Sequence, residues 1–405
     1  MNHDPDPVVE RTLWRRVAAK FARRGPPRTV VRPSAPPLRL GLIGAGNVAR
    51  WQHLPALRAL GGQFILRAVH DLHPGAAARV AHEFGAAVTP NAEELAARSD
   101  VDAVLVCTPA HAHADAVLAA LHERKHVLCE KPLARDLAEA ETLCSAAQRR
   151  EGCVAMVNFN LRQRPEFRLV RALIQQGVLG EIYHVTGSVS QGRWFTVDGR
   201  PANEREDAAG WKYDPPGVLL DLAPHAIDLM RWWCGEIVAT QAWTKRLETS
   251  HASTIAACSI QLETDSGTLI QLLSSRLVTG AKEQTTFELS GSRGALRSEA
   301  GSLRLWTRDV PRWRTLWVER EHPSALGLFA QAIRGEIHDT CDFNEGWRNQ
   351  AVLEAVALSA ESAGRYRLPV ARAAEAAHEK ARSATALRGD VLRLRAESDI
   401  SACGA

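Results

Sequence analysis

The chain has 405 residues, 45% of them hydrophobic and 24% charged, with a formal net charge of +4. That balance suits a soluble protein with room for two domains, and no apolar run approaches the roughly 20 residues that cross a bilayer. Residues 1–37 hold eight Lys/Arg against three Asp/Glu, so the rest of the chain is nearly neutral and nucleic acid is not an expected partner.

Those first 37 residues divide into RTLWRRVAAKFARR, a basic amphipathic helix by pattern, and GPPRTVVRPSAPP, whose prolines block regular structure. Composition favours a flexible leader or a strap on a partner subunit over a membrane-touching arm. No apolar segment follows the paired arginines, so no export signal is expected. The eight Cys are scattered without a C-x-x-C pair. They fit reduced thiols in a cytoplasm, and no metal site is expected.

From Leu38 strands alternate with helices. LRLGLIG is followed by the helix NVARWQHLPALRAL, QFILRAVHD by PGAAARVAHEFG, and AAVTP by AEELAARS. VDAVLVCTP, HADAVLAALHERK, HVLCEKP, LAEAETLCSAAQRREG and CVAMVNFN complete the set. This alternation predicts an α/β fold, a doubly wound parallel Rossmann sheet over residues 38–157.

The pattern then changes. A helix over 217–233, GVLLDLAPHAIDLMRWW, carries Asp221, His225 and Asp228 at steps of four and three, which places them on one face. EIYHVTGSVSQG, IVATQAWTKRLET, STIAACSIQLET, GTLIQLLSSRLV, QTTFELSG, GALRSEA and SLRLWTR read as consecutive strands of an antiparallel meander. Two closing helices follow, predicting a second, α+β domain over 158–370 with an open, mainly antiparallel sheet. Residues 371–405 are rich in Ala and charge and read as a solvated helical or frayed tail.

The motifs that carry chemistry sit at strand ends. GLIGAGNVA contains Gly44, Gly46, Asn47, Val48 and Ala49 between an apolar strand and a helix. There Gly44 permits the tight turn, Gly46 lets the backbone approach a pyrophosphate, and Ala49 keeps the helix close to the sheet. Strand two ends in Asp71, whose carboxylate suits ribose hydroxyls and repels a 2′-phosphate, so NAD is expected over NADP. His73 and Arg79 nearby soften that exclusion and leave NADP open. CTPAHAH ends a later strand with Thr108 and Pro109, and places His113 either at the coenzyme or at an ordinary helix start. HVLCEKP ends another with Glu130 and Lys131, where a lysine either polarises a substrate oxygen or merely precedes a turn. His225 has the pKa range of a general acid/base but is equally compatible with a satisfied core histidine. Asp221 either orients it, binds a substrate hydroxyl or caps the helix.

Taken in order, G-x-G-x-x-A, T-P-x-x-x-H, a strand ending in E-K-P and the D-x-x-x-H segment resemble the glucose–fructose oxidoreductase and inositol dehydrogenase family. NFNLRQRPEFRLVRALIQQGVLGEI and WKYDPPGVLLDLAPHAIDL look like further segments of that family, over roughly residues 38–370. The resemblance implies an NAD-dependent oxidoreductase that moves a hydride to or from a secondary alcohol carbon of a sugar, nucleotide sugar or cyclitol. It implies that Lys131 stabilises the substrate oxygen, that His225 is the general acid/base with Asp221 assisting, and that Asn160, Arg162, Trp211 and Lys212 line the substrate site. It further implies a homo-oligomer, dimer or tetramer, formed through the antiparallel sheet. The chain departs from the family at Pro216, Ala223 and Lys212, which leaves the substrate's identity open. The rival readings are the same fold acting on an imine or non-sugar alcohol, and a non-catalytic NAD-sensing regulator.

Overall fold

Short apolar runs bounded by turn residues build the first sheet. Its strands are β1 (Leu38–Ile43), β2 (Phe64–His70), β3 (Ala87–Val88), β4 (Ala103–Val106), β5 (His126–Glu130) and β6 (Ala155–Asn158). They pair in the order β3-β2-β1-β4-β5-β6, every pair parallel. The order reverses at β1, so the C-terminal ends of β1 and β4 flank the crevice where ligands of such sheets bind. The computed structural model describes residues 36–192, 217–248, 253–278, 283–299, 302–318, 323–337 and 340–368. The expected leader and tail, with Trp211 and Lys212, lie outside them.

The second sheet has nine strands. They are β7 (Ile182–Ser190), β8 (Ile237–Glu248), β9 (Ser253–Thr264), β10 (Leu269–Ser275), β11 (Gln284–Gly291), β12 (Gly294–Glu299), β13 (Ser302–Thr307), β14 (Val310–Leu316) and β15 (Tyr366–Arg367). The order is β14-β13-β12-β11-β7-β10-β9-β8-β15. It is antiparallel except for β7 and β10, which run parallel. The simple meander is therefore corrected: β7 lies between β10 and β11. Alternation along a strand reports which face is buried, not which strand lies beside it.

One face of this sheet, including Val185, Ile260, Leu272 and Leu289, packs on a helix over Ala223–Cys234. Phe167, Trp233 and Phe287 meet edge to face there at 5.2–5.7 Å, a geometry favoured by the ring quadrupoles.

Packing also crosses the boundary expected at residue 157. The helix Ala325–Ile333 returns to the first sheet, where Leu326 and Phe329 join the cluster of Leu57 and Met156. The long helix Phe343–Ser362 places Phe343 against Leu133 and Val157, and Val352 and Val356 in the second core. This helix ties the two sheets together and sets β5 against the 217–234 segment.

That segment is not one helix. Val218–Asp221 ends at Leu222, and Ala223–Cys234 begins there with Pro224 in its first turn, where a proline's missing N–H costs nothing. Gly217 has φ +44°, and a Cβ on it would lie 2.2 Å from Ile255 O. Gly217→Ala is therefore expected to cost roughly 2–4 kcal/mol through strain and collision. The check is the urea midpoint, which should fall at an unchanged slope.

Candidate active site

The turn after β1 has the geometry its glycines imply. Gly44 has φ +92°, its N–H donates to His70 O at 2.8 Å, and a Cβ there would strike the Cys107 and Thr108 backbone at 2.6–2.7 Å. A Cβ on Gly46 would meet nothing within 4 Å, so this side of the turn is open. Asn47 is exposed, Val48 half-buried, and Ala49 wholly buried against the sheet.

Asp71 follows β2 and accepts from Ala45 N and His73 N, each at 2.7 Å. Past the end of β4, on the other side of β1, Thr108 Oγ1 is buried and has no hydrogen-bond partner, and Pro109 precedes the following helical turn. An open glycine turn, a braced carboxylate and an orphaned hydroxyl around one crevice fit a dinucleotide.

Beside Ala45, Arg50 and Arg79 line a cavity of about 330 Å³. Asp71→Ala is accordingly expected to raise the KM for NAD by roughly 10–100-fold, the worth of hydrogen bonds to a carboxylate. It should also narrow the preference over NADP, because the two arginines then face a 2′-phosphate without a repelling carboxylate. Steady-state kinetics with both coenzymes reads this; an unchanged NAD/NADP ratio removes Asp71 from coenzyme selection.

Two residues expected among the coenzyme contacts have their side chains engaged inside the protein. His113 is 1% exposed; its Nδ1 meets Pro132 O at 2.9 Å and its Nε2 meets Thr108 O at 2.8 Å. It braces the β4 loop against the cis Lys131–Pro132 turn. Glu130 is 5% exposed. Its Oε1 takes His53 Nε2 at 2.6 Å and Asn158 Nδ2 at 2.6 Å, and its Oε2 faces Lys131 N at 3.3 Å. Burial works to raise its pKa, and the His53 and Asn158 contacts hold it below the ordinary carboxylate range. Both side chains are spent on internal carbonyls or donors, His113 at the start of the helix His113–His122 and Glu130 at the end of β5.

Lys131 leaves that anchored strand end and donates through Nζ to Asp221 O and Asp221 Oδ1, each at 2.9 Å. Asp221 Oδ2 pairs with Arg276, which is 4% exposed just past β10. Burial pushes the Lys131 pKa down to about 8, with Glu130 opposing and Arg276 reinforcing the shift. His225, one turn beyond Asp221, is half-buried, and its Nδ1 is buried without a partner. Burial and then the Lys131 ammonium push its pKa down to about 3. Its imidazole is therefore neutral at working pH.

Asp228 faces another way. It is fully buried and takes a bidentate pair from Arg162, Nε to Oδ2 at 2.8 Å and Nη2 to Oδ1 at 2.6 Å. Arg162 also donates to Glu345 at 2.7 Å, and it lines a separate cavity of about 320 Å³ with Arg171, Arg231 and Arg348. Arg162 is thus tied into an ion-pair network rather than presented to Lys131. Asn160 Nδ2 reaches Gln52 at 3.2 Å, while its Oδ1 is buried without a partner. The helix break at Leu222 separates what the sequence placed on one stripe. His53 and Arg276 went unread in the sequence. His53 follows Ala49 at one helical turn, a spacing that signals packing as readily as function, and Arg276 lies beyond an ordinary Ser-Ser strand end.

No helix among the described residues is long and apolar enough to cross a membrane, and no cluster of metal-binding side chains occurs among them. Comparisons with known proteins agree with the geometry. The family described as "Oxidoreductase family, NAD-binding Rossmann fold" matches residues 38–159, and "GFO/IDH/MocA C-terminal domain" matches residues 167–297. A 1,5-anhydro-D-fructose reductase of Ensifer adhaerens is 30% identical over 314 residues, 73% of this chain and 88% of the relative. An inositol 2-dehydrogenase of Rhizobium meliloti is 30% identical over 276 residues, 65% of this chain and 76% of the relative. A levoglucosan dehydrogenase solved with NADH and L-sorbose superposes with TM-score 0.73 at 23% identity, over 83% of this chain and 100% of that one.

Proposed function

The chain belongs to the GFO/IDH/MocA oxidoreductase family, and for this NAD-dependent oxidoreductase acting on CH–OH groups we propose a substrate class and a division of labour. The substrate is a sugar, nucleotide sugar or cyclitol, reacting at a secondary hydroxyl or the matching ketone. The curated relatives are named for such substrates. The observation that carries the mechanism is the meeting of Lys131, from the first sheet, with the Asp221–His225 segment.

When bound, NAD supplies the acceptor or donor of the hydride. An ammonium has three donors, and Lys131 spends two of them on Asp221 O and Oδ1, leaving one for the substrate oxygen. There it stabilises the charge of the developing alkoxide. His225, neutral at working pH, takes the hydroxyl proton in oxidation and returns it in reduction. Asp221 makes its contacts to Lys131 and Arg276. In this reading Asp221 assists by holding the lysine, and of the roles left open for it this is the one its contacts support. Trp243, Leu269 and Leu273 expose 49%, 61% and 43% of their surface on the outer face of the second sheet; such a face suits a homo-oligomer contact.

One observation favours a second reading. Lys131, near 8, is better matched to proton exchange at neutral pH than His225, near 3. In that reading Lys131 trades the proton and His225 orients the hydroxyl.

The test is NADH formation from NAD with a panel of sugars, cyclitols and nucleotide sugars. Turnover with at least one is expected. Turnover confined to imines or non-sugar alcohols overturns the substrate class, and persistent inactivity beside NAD-dependent binding to another protein favours the sensing reading.

A further inference from the structure

Arg276 is a buried cation that no motif announces. Its backbone N–H donates to Ala256 O at 2.8 Å, which anchors it in the second sheet, and its guanidinium pairs with Asp221 Oδ2. Asp221 Oδ1 meanwhile holds Lys131 Nζ at 2.9 Å. One carboxylate, from the 218–221 helix, thus sits between two cations delivered from the ends of β5 and β10. Removing a guanidinium from water is unfavourable unless the charge is paired, and Asp221 supplies that pair.

We propose that Arg276 is a positioning residue for Lys131: by clamping Asp221 it fixes the ammonium in place and sets a second cation close to it. The charged and titratable groups facing Lys131 are Glu130 on its own strand, Asp221 and His225 from the two helices, and Arg276 from the second sheet. Glu130 is committed to His53 and Asn158, and His225 is neutral. Lys131 lies between two carboxylates, Asp221 and Glu130, and Arg276 supplies a second cation beside them. The same charge weakens the hold of Lys131 on its proton, in the direction burial already pushes.

This inference rests on Lys131 working at the substrate oxygen, but its test needs no substrate. Competitive labelling with acetic anhydride across pH, read at the Lys131 peptide by mass spectrometry, reports when that amine titrates. The wild type is expected to show a midpoint near 8. Arg276→Met and Arg276→Gln should move it upward, toward the ordinary 10.5, and Arg276→Lys should leave it close to the wild type. NADH fluorescence titration identifies which variants are folded. A folded Met or Gln variant with the wild-type midpoint overturns the proposal, as does a Lys variant shifted as far as the Gln variant or a wild-type midpoint already at the ordinary value. Undiminished turnover in Lys131→Ala would sink the functional reading instead, and leaves the labelling result to be judged by itself.

Discussion

Lys131→Ala is expected to bind NADH within a few-fold of the wild type and to lose roughly 10²–10³-fold in kcat, the usual effect of removing a donor aimed at a developing oxyanion. The binding half follows from geometry: the Gly44 turn, Asp71 and Thr108 line a crevice that fits a dinucleotide, and none of their contacts uses the Lys131 ammonium. The kinetic half follows from the donor count. Asp221 takes two of the three Nζ donors, so one is left for the substrate oxygen in the proposed mechanism. Lys131→Arg should recover little, because a planar fork cannot replace a compact ammonium held between a carbonyl and a carboxylate. Stopped-flow or steady-state NADH absorbance, paired with fluorescence titration, separates the two effects. Turnover within tenfold of wild type in a variant that binds NADH removes Lys131 from the chemistry.

Local chemistry was legible in the sequence and long-range pairing was not. Strand–helix alternation from Leu38 implied the parallel sheet, and Gly44 advertised a turn only glycine can make, because both depend on residues within a few positions of each other. Lys131 and Asp71 were locatable because a strand end in a doubly wound sheet has one destination. The parallel pairing of β7 with β10, the clamp from Arg276 to Asp221 and the His53–Glu130 contact join residues 55 to 90 positions apart. No periodicity encodes those meetings. The 217–233 stretch failed for a different reason: steps of four and three put three residues on one face only if the helix is continuous. Pro224 starts a new helix there, turning Asp221 to Lys131 and Asp228 to Arg162.

His225→Ala is expected to lower kcat by roughly 10²–10⁴-fold, and the pH profile of the wild type decides what that loss means. The profile of kcat/KM reports groups in the free enzyme, where His225 is held near 3 and Lys131 near 8. If His225 takes the proton, its neutral form is present throughout the working range and no acid limb appears above about pH 4. Alcohol oxidation then falls as pH rises through about 8, because Lys131 loses the charge that stabilises the alkoxide. If Lys131 takes the proton, its neutral form is the active one, and oxidation must rise through the same pH while reduction falls. The two roles differ in the sign of one limb at one pH, and the His225 variant removes the ambiguity. With His225 as base, the alanine variant keeps the falling limb at a rate lowered throughout. A rising limb that survives in His225→Ala and vanishes in Lys131→Ala assigns proton transfer to the lysine and leaves the imidazole as the group that orients the hydroxyl.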